Sequence, residues 1–173
     1  MKKVLFIMST VALFMFSQTT TAQSQSKDIV DIAVSVDDFS TLVSALKAAD
    51  LVGALKGEGP FTVFAPVNSG FAKIDSNALN SLLEPENKEK LSAILTYHVV
   101  SGKLAAADVA KALESGNGKV ELTTLNGATL TAVSKDGGIF LMDQNGNYSK
   151  IAKTDVMASN GVIHIIEDVV MPK

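Results

Sequence analysis

The spacing of apolar residues changes once along this chain. Between Asp28 and Leu113 they recur mostly every three or four positions, and from Lys119 onward they alternate with polar ones. Asp28 to Val34 is a short apolar segment. Asp37 or Asp38 can cap a helix that places Phe39, Leu42, Val43, Leu46 and Ala49 on one face, with Leu51 to Leu55 adding a turn. Gly57-Glu58-Gly59-Pro60 ends that helical stretch, and FTVFAP, Phe61 to Pro66, reads as a buried strand stopped by proline. Asn68 can cap a short helix holding Phe71 and Ile74, and Asp75 to Leu83 reads as another. Pro85 opens a third, in which Leu91, Ile94, Leu95 and His98 fall on one stripe. Val99-Val100 looks like the start of a strand, and Ala105 to Leu113 forms a helix closed by Gly116.

The second pattern is a meander. Lys119 to Thr123 alternates, Asn126-Gly127 is a hairpin turn, and Ala128 to Val133 returns. Turns at Asp136-Gly137-Gly138, Asn145-Gly146-Asn147 and Asn160-Gly161 separate strands at Ile139 to Met142, Tyr148 to Val156 and Val162 to Val170. Helices followed by a run of strands predict an α+β domain, and nothing repeats along the chain.

The start of the chain follows a different logic. Lys2 and Lys3 precede an apolar run from Val4 to Phe16, and a small polar stretch ends in Thr20-Thr21-Ala22. This is the layout of a secretory signal peptide cleaved after Ala22 and too short for a membrane span. Residues 23–27 then form a flexible tail and 28–172 the domain, which would not span a membrane once the signal is removed.

Without Lys2 and Lys3, 13 lysines face 18 acidic residues, a net charge of −5, and the chain has no arginine. Arginine supplies the planar fork that grips phosphate and guanine. Its absence from an acidic chain predicts no nucleic-acid binding. Absence of cysteine excludes thiol catalysis, thiolate zinc sites and iron–sulfur clusters.

Two histidines remain as candidate chemistry. His98 shares its helical stripe with Leu91, Ile94 and Leu95, and His164 alternates with Val162 and Ile166 on one strand face. Both positions read as buried, hydrogen-bonded core residues. Two histidines without a third ligand at metal spacing predict no metal site and no cofactor. Ser101 lacks a nucleophile motif, and no carboxylates pair in an apolar setting. Asp143 to Tyr148, DQNGNY, imitates the start of a calcium loop, but Tyr148 stands where glycine belongs and Thr154 where glutamate belongs. It reads as a turn. Asn147-Tyr148-Ser149 is a formal glycosylation sequon.

Three stretches in order resemble the fasciclin domain family: FTVFAPVNSGFAKI from Phe61 to Ile74, LTYHVVSGKL around Tyr97-His98, and ASNGVIHIIEDVVMP from Ala158 to Pro172. Val67 departs from the family's threonine and Gly70 from its common alanine. The resemblance implies a β-wedge of about seven strands with N-terminal helices packed on it. It also implies a secreted, extracellular, surface or periplasmic protein that mediates adhesion to matrix, cells or polysaccharide without catalysis. In some animal members the Tyr-His segment and an Asp-Ile pair are linked to integrin binding. Tyr97, His98, Asp155 and Val156 occupy those positions here and are the expected partner-binding residues. If His98 faces inward, its helical neighbour Tyr97 is turned about 100° toward the domain's edge. A second function, carriage of a small apolar ligand such as a pigment or lipid, fits the aliphatic faces. A third, hydrolysis through Ser101 or His98, lacks its motifs.

Overall fold

A computed structural model of the protein describes residues 27–173. The signal peptide, its cleavage after Ala22 and nearly all of the 23–27 tail lie outside the described residues. Seven helices and seven strands follow: α1 Ile29–Val34, α2 Ser40–Ala48, α3 Val52–Leu55, β1 Phe61–Pro66, α4 Asn68–Phe71, α5 Ser76–Leu82, α6 Lys88–Tyr97, β2 Val99–Ser101, α7 Ala106–Ser115, β3 Lys119–Thr123, β4 Thr129–Lys135, β5 Gly138–Met142, β6 Tyr148–Ala158 and β7 Gly161–Ile166. The strands form one sheet in the order β2-β1-β7-β6-β5-β4-β3. The expected α+β wedge of about seven strands is what the chain builds.

The order of the sheet carries what periodicity could not. β3 to β7 is the anticipated antiparallel meander. β1, separated from it by four helices, returns to lie parallel to β7 with Phe61 opposite Gly161 and Phe64 opposite His164. Gly161 permits the approach, because a Cβ there would lie 2.1 Å from the Phe61 carbonyl oxygen.

The sheet divides two cores. Val63, Ala65 and Ile163 face α1, α2 and α6, packing with Phe39, Leu42, Leu46, Leu91 and Leu95. Phe64 and Ile166 point the other way, toward Tyr97, Val109 and Leu113 and the meander's Leu130 and Leu141. Alternate residues of β1 and β7 therefore feed opposite cores, which is why both strands read as unbroken apolar runs.

Two caps differ from expectation. Neither Asp37 nor Asp38 caps α2; they lie in a 3-10 turn, Asp37–Phe39, without a side-chain cap. Asn68 supplies the oxygen instead, accepting from the Thr41 backbone N–H at 3.0 Å while its amide donates to the Asp37 carbonyl oxygen. Asn68 therefore does not cap its own helix. Val67 holds that position without a side-chain hydrogen bond, as a residue lacking a hydroxyl must. Gly70 is explained by contact: a Cβ would sit 2.7 Å from the Glu167 carbonyl oxygen, so α4 can lie on the segment that follows β7.

Candidate interaction site

Tyr97 and His98 end α6. Its Leu91 and Leu95 are buried and set the helix's inner face. His98 is the C-cap, buried with both ring nitrogens engaged. Nδ1–H donates to the Ile94 carbonyl oxygen at 2.8 Å, and Nε2 accepts from the Val170 backbone N–H at 3.2 Å. That pairing requires one neutral tautomer. Burial pushes the His98 pKa down to about 4, against the opposing effect of the Ile94 carbonyl.

Tyr97 corrects an expectation. Its ring does not turn to the domain's edge; it is 0% exposed, and its hydroxyl donates to the Thr129 carbonyl oxygen at 2.9 Å. The helix ends here and the chain turns directly into β2, so the far side of α6 at this level is covered by the meander. Burial raises the Tyr97 phenol above its ordinary value, and the nearby Asp143 carboxylate adds to the effect.

Asp155 and Val156 lie at the other nominated place. β6 slips register against β7 between Lys153 and Val156, and Asp155 sits in that bulge at φ +58°. Its backbone N–H donates to His164 Nδ1 at 3.3 Å, while His164 Nε2–H donates to the Leu104 carbonyl oxygen at 2.7 Å. The His164 ring stacks on Phe64 with centroids 5.6 Å apart. The Asp155 carboxylate reaches across to accept from the Ala106 N–H at 2.8 Å. Ala105, at the N-cap of α7, has no side-chain acceptor, so Asp155 supplies that cap from a distant strand. Thr62 completes the chain of contacts, donating to the Gly102 carbonyl oxygen and accepting from the Leu104 N–H.

The four nominated residues thus form two separate places. Tyr97 and His98 are interior, Asp155 is exposed and Val156 is half-buried. Among the described residues no buried side-chain nitrogen or oxygen lacks a hydrogen-bond partner. Among them also no group of three or more acidic or histidine side chains could hold a metal ion, and no helix is long and apolar enough to cross a membrane.

The fasciclin domain model matches residues 37–172. The chain belongs to the fasciclin domain family. It is 49% identical over 151 residues to protein sll1483 of Synechocystis, covering 87% of this chain and 77% of that protein. Over 149 residues it is 34% identical to the transforming growth factor-beta-induced protein ig-h3 of Sus scrofa, covering 83% of this chain and 19% of that protein. It is also 31% identical over 161 residues to immunogenic protein MPB70 of Mycobacterium bovis, covering 87% of this chain and 72% of that protein. A solved FAS1 domain pair from the insect cell adhesion molecule fasciclin I superposes with a TM-score of 0.72 at 20% identity, covering 83% of this chain and 50% of that one. At that identity the likeness speaks for the fold.

Within the fasciclin frame, the Asp155 cap leaves no local trace in the sequence, because its helix lies 49 residues away along the chain. A better signal was available at Asp143. It stands two and four residues before Asn145 and Asn147, the spacing of an aspartate that folds a turn around its own carboxylate. Asp143 is 4% exposed and accepts from the Asn145 and Asn147 backbone N–H groups at 2.8 and 2.9 Å.

Proposed function

We propose that this fasciclin domain is an exported, non-enzymatic adhesion module whose partner is a protein or polysaccharide of the matrix or cell surface. One observation carries the reading. Both histidines and Tyr97, the groups best suited to proton transfer, have their polar atoms occupied by the protein's own backbone. A catalytic base needs a hydrogen bond to its substrate, and these have none to offer. Membership of the fasciclin domain family supports the same reading. The contact surface would draw on exposed groups, with the Asp155-Val156 bulge among them, and Tyr97 and His98 would serve it by holding the fold.

The second reading, carriage of an apolar ligand, has a groove behind it. Val30, Val34, Val43, Leu46 and Val52, from α1 to α3, line about 270 Å³. Small-molecule sites usually enclose about 300–1,000 Å³. Val34 on its rim is 60% exposed, so the groove would leave much of an apolar ligand in water, and adhesion is preferred. Purification from the source organism separates the two. Adhesion predicts a colourless protein, free of extractable lipid, that retains cells or matrix when immobilised. A stoichiometric pigment or lipid with no such retention would replace adhesion by carriage.

A further inference from the structure

We propose that the groove between α4 and the β5–β6 turn is a binding site for uncharged, hydroxyl-rich polysaccharide. This rests on the adhesion reading and names its partner class and its place. The groove holds about 630 Å³. One wall is α4 and the turn after it, with Lys73 and Ile74. The other is the β5–β6 turn, with Asn147 and Tyr148. Asp168, Val169 and Met171 close it from the C-terminal segment.

The walls are fixed before any ligand arrives. Besides the two turn N–H groups, the Asp143 carboxylate accepts from the Asn147 side-chain amide at 3.1 Å and from the Met171 backbone N–H at 3.2 Å. A single buried carboxylate thereby ties the turn to the C-terminal segment. Asn145 adds a second tie, its side-chain amide donating to the Met171 carbonyl oxygen. Val170, between the two lining residues, is held by His98. At the base, Ser149 Oγ donates to the Asp168 carbonyl oxygen and accepts from its N–H, both at 2.9 Å. A site that is ordered in advance loses less entropy on binding.

The groups presented match a sugar. A sugar ring has C–H faces that sit on an aromatic ring, and a rim of hydroxyls that each donate and accept. Among the described residues Tyr148 is the one aromatic side chain in the exposed class, at 47%. The Lys135 ammonium lies 5.1 Å from its ring centroid, restraining it. Lys73 and Asp168 are paired across the groove, with side chains 61% and 31% exposed. The pair offers donors and acceptors together while cancelling its own charge. Ile74, Val169 and Met171 supply apolar contact. An anionic glycan fits poorly, because Lys73, the lysine lining the groove, is already paired with Asp168, Lys135 stands over the Tyr148 ring and does not line the groove, and the chain's net charge is −3.

Affinity electrophoresis of the purified protein tests the assignment, with dextran, galactomannan or hydroxyethyl cellulose cast in the gel, and alginate and heparin as anionic counterparts. At least one uncharged polymer should retard the protein. Tyr148→Ala, shown folded by circular dichroism, should weaken that binding roughly tenfold, and Tyr148→Phe should retain it. Retardation by none of the three uncharged polymers, retardation by the anionic ones alone, or an unaltered Tyr148→Ala would overturn the site. Cell attachment, measured on the same variants, separates this from the broader reading. Attachment that survives Tyr148→Ala keeps adhesion and moves it to a protein-binding surface elsewhere. Wild-type protein that attaches to nothing, yet binds a polymer through Tyr148, keeps the groove and removes cell adhesion.

Discussion

At the end of α6 the Tyr97 ring is wholly enclosed, and its hydroxyl and both His98 nitrogens bond to backbone from three other places in the chain or helix. In the β6 bulge Asp155 is exposed, yet its carboxylate also bonds to backbone, at the start of α7. Both dipeptides fasten secondary structure, and they differ in what replaces a lost contact. Water can reach Ala106 when the Asp155 carboxylate is gone. It does not reach the Tyr97 hydroxyl, which is wholly enclosed. The same kind of hydrogen bond is therefore worth more at the first place than at the second.

The comparison breaks most readily at Tyr97. Tyr97→Ala removes a buried aromatic ring and should cost about 3–5 kcal/mol, as other aromatic truncations in cores do. Tyr97→Phe keeps the ring and removes the hydroxyl's bond to the Thr129 carbonyl oxygen, for about 1 kcal/mol. Urea unfolding of both variants gives the values. A Tyr97→Ala domain within about 1 kcal/mol of wild type would mean that the ring leaves no cavity, and the contrast between the two places would fail.

Some of this contrast was legible in the sequence and some was not. His98 could be placed because Leu91, Ile94 and Leu95 fixed the inner stripe of its helix. Tyr97 was misplaced by the same argument. A turn of about 100° predicts the edge of an isolated helix, but the edge of α6 is covered by β4, which is distant in sequence. Most helix and strand positions followed from local spacing, although the last strand, expected to run to Val170, ends at Ile166, while the β1–β7 pairing spans four helices and left no periodic trace. Asp155 is a further case. Its positive φ belongs to a bulge, and a bulge is set by the partner strand's register, which one strand's sequence does not record.

His98 gives the next effect, and pH exposes it. Its pKa is about 4 in the fold against about 6.5 in an unfolded chain. Between those values the unfolded state takes up a proton that the folded state refuses. Stability due to this group is thus fully present above about pH 6.5, falls as the pH drops, and is lost by about pH 4. The fall should approach about 3 kcal/mol. His98→Gln removes the titration. Its unfolding free energy should lie about 1–3 kcal/mol below wild type at pH 7 and change less between pH 6.5 and 4. A parallel pH dependence in the two proteins would show that His98 protonates freely and is not sealed as described.

The smallest effect tests the other side of the comparison, at Asp155, where two contributions overlap. The carboxylate caps α7, and the backbone sits at φ +58°, which aspartate, asparagine and glycine tolerate better than alanine. Three substitutions separate them. Asp155→Asn keeps a side-chain oxygen and the tolerated φ, losing only the charge near the helix N-terminus, so it should fall within about 0.5 kcal/mol of wild type. Asp155→Gly keeps the backbone free but removes the cap, for about 1 kcal/mol. Asp155→Ala removes the cap and adds the strain of a Cβ at positive φ, so it should be the least stable by roughly another 1 kcal/mol. The His164 bond to the Asp155 N–H persists in all three, because it is made by the backbone. The order Asn, Gly, Ala therefore reads cap and strain separately by thermal unfolding. If alanine proves as stable as asparagine, the carboxylate is not holding α7. Asp155 would then serve the contact surface alone, and the two dipeptides would no longer share a structural role.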